Sequence, residues 1–189
     1  MRFGAHSDRT FALFIAISFA LFSNLAVTAT ASASSHASTL KNLGMNEIMF
    51  AQGMIPHHQQ AIDMSNMALK NGASAEVKKL AKGIISAQQK EISQLKYWLK
   101  ATDSSMTMDH DMGMNGMLSK SDLAALKKLK GSKFNTAFLK AMIAHHEGAL
   151  QMVDLLDGTK NVEAEKIAAD ITKGQSAEIT FMKKLLAKA

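Results

Sequence analysis

The chain has 189 residues, a formal charge of +6, fourteen methionines and no cysteine. The missing cysteine excludes a disulfide framework and thiolate ligands. The basic excess is spread along helical faces such as Lys78-Lys79 and Lys127-Lys128, with one Trp (Trp98) and one Tyr (Tyr97) in the whole chain. That is the pattern of solvated surfaces, so no nucleic-acid partner is expected.

Residues 1–33 read as a signal peptide. Arg2 and Arg9 give a basic start, Phe11 to Phe22 is apolar apart from Ser18, and Ala29-Thr30-Ala31 and Ala31-Ser32-Ala33 both fit a cleavage site. The apolar run is short for a membrane span. The expected product is therefore periplasmic or secreted, with no stable membrane span after cleavage and enough length for one domain with a real core. Residues 34–44 are expected to be a flexible lead-in. Cleavage after Ala33 would leave Ser34-Ser35-His36 at the amino terminus, where an amine, two amide nitrogens and an imidazole can hold Cu(II) or Ni(II) in a square plane. His36 is a candidate ligand on that ground.

From about Met45 the pattern is helical, with a single proline and no strand alternation. A first helix is expected over 45–70, stopped by Asn71-Gly72. Pro56 should kink it or mark its regular start. A second helix follows over 74–100, with Leu80, Ile84, Gln88, Ile92, Leu95 and Leu99 turned inward. A Met/Asp/Gly-rich loop occupies 101–118. Ser119 and Ser121 can cap a short helix reaching about Lys130. Two further helices are expected over 132–157, ended by Gly158, and 162–187.

The helices repeat. Phe50 to Met64 returns as Phe138 to Met152, 88 positions later, with seven of fifteen residues identical, and Gln88-x-x-Glu91-Ile92 returns as Gln175-x-x-Glu178-Ile179. The chain thus divides into a first helical hairpin (45–100), a Met-rich loop with a short linker helix (101–131) and a second hairpin (132–189). One hairpin leaves an apolar face uncovered, so two should pack as an all-α antiparallel four-helix bundle with pseudo-twofold symmetry.

At helical spacing, Phe50, Met54, His57, Ala61 and Met64 form one stripe, and Phe138, Met142, His145, Ala149 and Met152 form its copy. His58 and His146 fall on the neighbouring stripe among Ile and Leu. Methionine fills cores well, and a lone histidine on an apolar face is usually structural. A Met-x-x-His-x6-Met pattern that occurs twice shifts the balance, because imidazole and thioether together bind copper-group ions. Met54, His57, Met64, Met142, His145 and Met152 are the candidate ligands. His58 and His146 rank lower; they are open to a structural role, bonded to Gln88 and Gln175 or to Glu91 and Glu178.

The loop carries Met106, Met108, His110, Met112, Met114 and Met117, interleaved with Asp, Gly and Asn. No helical or strand period buries these methionines together. The set suits soft, low-coordination binding of Cu(I), with Ag(I) as a mimic, while Asp109 and Asp111 could help to hold Cu(II).

With these residues in place, the chain resembles the exported bacterial proteins of domain-of-unknown-function family 305. The resemblance rests on Met54-Ile55-Pro56-His57-His58-Gln59, Ala61 and Met64, then Gln88, Glu91 and Ile92; the second copy departs at Ala144 and Glu147. It implies a ferritin-like four-helix fold and an association with periplasmic copper binding and copper tolerance. The expected function is copper buffering, trafficking or tolerance, without catalysis. Copper ions are the expected partners, with a copper efflux or chaperone protein as a further one. A ferritin-like metal-dependent oxidase is the competing reading, but it needs Glu-x-x-His motifs that are absent here. A purely structural bundle would leave the Met-rich loop unexplained.

Overall fold

The structure, a computed structural model, describes residues 42–107 and 115–188. The helices are α1 (Met45–Lys70), α2 (Ala75–Ala101), α3 (Lys120–Lys128), α4 (Gly131–Val153) and α5 (Val162–Leu186), with a 3-10 turn at Asp154–Leu156 after α4. No strand occurs among the described residues. The fold is an antiparallel four-helix bundle made of two hairpins, α1–α2 and α4–α5. The first helices of the two hairpins pack against each other.

Three of the four long helices, α1, α2 and α5, begin where a side chain satisfies free N–H groups, and α4 has no such cap. Ser74 Oγ accepts from Val77 N, and Asn161 Oδ1 accepts from Glu163 N and Ala164 N. At α1 the Glu47 carboxylate reaches back to accept from Gly44 N at 2.9 Å. Ser74 and Asn161 are equivalent caps, 87 positions apart like the glutamines they precede, whereas α1 and α4 correspond at 88. The missing residue is taken up at the end of α4, where the helix tightens into the 3-10 turn. Helix α4 consequently stops at Val153, short of the expected Asp157.

Pro56 lies inside α1, well past its start at Met45, and so does not mark where regular helix begins. Its side chain is exposed. The core falls into two apolar clusters. One gathers Met64, Met142, Phe134, Phe138, Ile84 and Met182; the other gathers Phe50, Met54, Leu95, Trp98, Leu156 and Ile167. All six residues expected to face inward from α2, from Leu80 to Leu99, are buried. Among the described residues no helix is long and apolar enough to cross a membrane.

Candidate metal centre

Between the two apolar clusters lies a polar layer. Helices α1 and α4 are antiparallel and touch where their stripes carry Ala61 and Ala149, both fully buried and too small to hold the backbones apart. The two His-His pairs therefore meet. The rings of His57 and His145 stand 3.8 Å apart, centroid to centroid, tilted by 40°, and His146 lies 6.3 Å from His145. All four histidines have 0% exposure.

The outer two rings are held by the second helix of each hairpin. His146 Nε2 donates to Glu178 Oε2 at 2.7 Å, and His58 Nε2 approaches Glu91 Oε2 at 2.8 Å, less well aligned. Of the partners left open by the sequence, the glutamates are the ones used. Gln88 and Gln175, one turn earlier on the same helices, are buried with both amide atoms unpartnered among the described residues.

The inner two rings are neutral. Burial pushes the pKa of His57 down to about 4, opposed by its bond to the Asn115 carbonyl and assisted by His58 and His146. Burial, and then the charge that His57 would carry, push His145 down to about 2. A neutral imidazole has one N–H and one lone pair. His57 Nδ1 lacks any hydrogen-bond partner among the described residues, and the His145 ring has no well-aligned one, its one polar approach being to the His57 backbone. Buried polar atoms are nearly always satisfied, so this concentration in one layer calls for an occupant.

The repeated methionines lie in the two apolar clusters. Met54 shares a cluster with Ala149 and Met152, and Met142 shares the other with Ala61 and Met64. Each copy's leading methionine thus sits with the trailing methionine of the other. Met54, Met64 and Met142 are fully buried and Met152 partly so, and they fill core volume as well. No group of three or more His, Asp or Glu able to hold a metal occurs among the described residues. Two imidazoles with neighbouring thioethers suit a soft ion of low coordination number, whereas a hard ion needs more oxygen ligands.

The Met-rich loop runs from α2 to α3, and its described limbs rest on the histidine-bearing helices α1 and α4. Its first limb turns through Thr102 and Ser104, and Gln52 Nε2 of α1 donates to Ser105 O at 2.9 Å. Its last limb is gripped twice by Gln60, which accepts from Leu118 N at 2.7 Å and donates to Leu118 O at 3.0 Å. His57 Nε2 meets Asn115 O at 3.2 Å, and Asn115 Nδ2 donates to Gln151 Oε1 at 2.7 Å. Met106 is exposed and Met117 partly buried. Met108, His110, Met112 and Met114 lie outside the described residues, as do His36 and the signal segment.

The anchors Gln60, Gly148, Asn115 and Gln151 were not among the residues singled out in the sequence. Their signal was present as a difference between the copies, since Gln60 of the first is Gly148 of the second. A Cβ at Gly148 would fall 1.9 Å from Asn115 O. The second copy therefore has room for the loop only because its side chain is missing.

The architecture is a helical bundle of two similar hairpins closed around a buried four-histidine layer. The chain belongs to the family "Domain of unknown function (DUF305)", whose sequence pattern matches residues 47–186. It is similar to a Streptomyces coelicolor DUF305 protein described as secreted, at 27% identity and TM-score 0.72 over 76% of this chain and 93% of that one. A DUF305 fragment from Deinococcus radiodurans is similar at 29% identity and TM-score 0.71, covering 77% and 98%. The structure of CopM in a Cu(II)-bound form matches at 35% identity and TM-score 0.65, covering 75% and 96%; Cu(I)-bound CopM matches at 34% and 0.63, over 75% and 96%. No curated protein sequence matches.

Proposed function

We propose that this protein binds copper, as Cu(I) with Ag(I) as a mimic and with Cu(II) as a second state, and serves in copper buffering, trafficking or tolerance outside the cytoplasm. The carrying observation is the contact between His57 and His145: two neutral buried imidazoles from separate repeats, with ring nitrogens that have no well-aligned partner among the described residues. The likeness to CopM, which has been seen with Cu(I), Cu(II) and silver, supports the same cargo here. Copper is cargo in this reading, and the protein performs no turnover.

Two kinds of site divide the work. The loop methionines Met106, Met108, Met112, Met114 and Met117, with His110, capture the ion first, and the His57–His145 layer with Met54, Met64, Met142 and Met152 then holds it. The signal-like amino terminus and the likeness to a protein described as secreted support export. Delivery would then go to a copper efflux or chaperone protein. His36 adds a Cu(II) site if the signal is removed after Ala33.

Anaerobic Cu(I) titration against a competing chelator tests the division. Replacing the five loop methionines by Leu should remove the tightest equivalents and leave helical content intact. Unchanged stoichiometry and affinity would refute the loop assignment.

A further inference from the structure

Residues Asn115 to Leu118 run across the two helices that carry the histidine pair. The crossing is unusually close. Gly116 has φ +82°, and a Cβ there would fall 2.4 Å from Ala144 O and 2.9 Å from His145 Cα. Gly148 admits the Asn115 carbonyl in the same way from below. Gln60 on α1 and Gln151 on α4 then fasten the segment at either side. Four residues are thus bolted over the histidine layer through backbone atoms, with two glycines making the fit possible.

The Asn115 carbonyl can only accept a hydrogen bond, so the proton of the buried His57 ring must sit on Nε2. The lone pair is then on Nδ1, the atom with no partner among the described residues. A second-sphere acceptor that fixes the tautomer of a histidine also decides which nitrogen is available to a metal. We propose that the 115–118 strap is a positioning element for the metal centre: its Asn115 carbonyl makes Nδ1 the metal-binding atom of His57, and its seat on Gly148 covers the His57–His145 pair. The inference rests on the copper-binding reading for its metal, but its statement about the tautomer and the cover does not need a metal to be tested.

Because the acceptor is a backbone carbonyl, no side-chain substitution deletes it, and the strap must be lifted. Gly148→Ala does so from α4 and Gln60→Ala from α1, while Gly174→Ala, with nothing within 4 Å of the added carbon, is the control. In the metal-free wild type, imidazole 15N spectra should show His57 protonated on Nε2. Both lifting variants should lose that single-tautomer signature, and Gly174→Ala should keep it. Acylation of His57 and His145 by diethylpyrocarbonate, read by mass spectrometry, should accelerate roughly tenfold in both lifting variants, since local opening governs access to buried groups. Added Ag(I) should shift Nδ1 of His57 and leave its Nε2 proton in place.

A wild-type His57 protonated on Nδ1, or equal acylation rates in all four proteins, would overturn the proposal. So would an Ag(I)-induced shift confined to Nε2. If Ag(I) moves no imidazole signal at all while the tautomer and acylation results hold, the copper reading of the layer fails and the strap stands as a structural cover.

Discussion

The two copies of the His-His segment agree at the histidine layer and differ where the loop crosses it. Phe50 and Phe138, Met54 and Met142, all four histidines, and Ala61 and Ala149 are identical pairs with 0% exposure. Pro56 and Ala144, Gln59 and Glu147, and Asp63 and Gln151 differ and are exposed. Ala51 and Leu139 are buried and different, but both are apolar; Gln60 and Gly148 are buried, different in kind, and both meet the loop. A bundle of two similar halves has one connecting loop, and that loop must be treated differently by each half. The first half grips it with a side chain, and the second makes room by having none. Repetition built the histidine layer, and divergence attached the loop to it.

The comparison predicts matched losses at matched core positions. Phe50→Ala and Phe138→Ala should each cost about 3–5 kcal/mol in urea denaturation, because both remove a fully buried ring from a packed cluster. If one copy tolerates the change and the other unfolds, the halves are not energetically equivalent.

A smaller effect should come from acid. The folded pKa values of His57 and His145, about 4 and about 2, lie below the ordinary value of 6.5. The unfolded chain therefore takes up protons more readily, and stability rises with pH through this window. Above about pH 6.5 the contribution of each ring is complete. As pH falls it is lost, down to about 4 for His57 and about 2 for His145. By pH 5 each ring should have cost about 2 kcal/mol. Comparing urea midpoints at pH 7.5 and 5.0 checks this, and His57→Leu should flatten the dependence.

The divergent pair should respond asymmetrically. Gln60→Ala removes two hydrogen bonds to the Leu118 backbone and should cost about 1–2 kcal/mol. Gly148→Ala should cost about 1–3 kcal/mol, because the added methyl displaces the loop. Gly83→Ala and Gly174→Ala, in helix interiors with open space, should instead stabilise by about 0.5–1 kcal/mol. Equal effects at Gly148 and Gly174 in thermal melts would remove the special standing of the strap.

Much of this was legible in the sequence, for identifiable reasons. Helix spans followed from periodicity and from Asn71-Gly72, except that α4 stops at Val153 and not at Gly158, and the duplication implied the bundle. The Phe50 and Phe138 stripes reported the core because helical spacing fixes which residues share a face. Spacing along one helix does not say what faces it from another. Sequence alone could therefore leave His58 and His146 between Gln and Glu partners, and the packing of α2 and α5 settles on Glu91 and Glu178. The contact of His57 with Asn115 was out of reach for the same reason. It joins residues 58 apart through a backbone carbonyl, which carries no residue-type signature.

The copper-holding element proposed is the duplicated histidine layer, and not the loop alone. X-ray absorption at the copper edge tests this most directly, on anaerobically Cu(I)-loaded protein whose five loop methionines and His110 are replaced by Leu. This variant should still bind Cu(I) through imidazole nitrogen with thioether sulfur, and adding His57→Ala and His145→Ala should abolish the nitrogen signal with the helical fold retained. A loop variant that binds no copper, or one whose imidazole scattering survives the loss of both histidines, would contradict it.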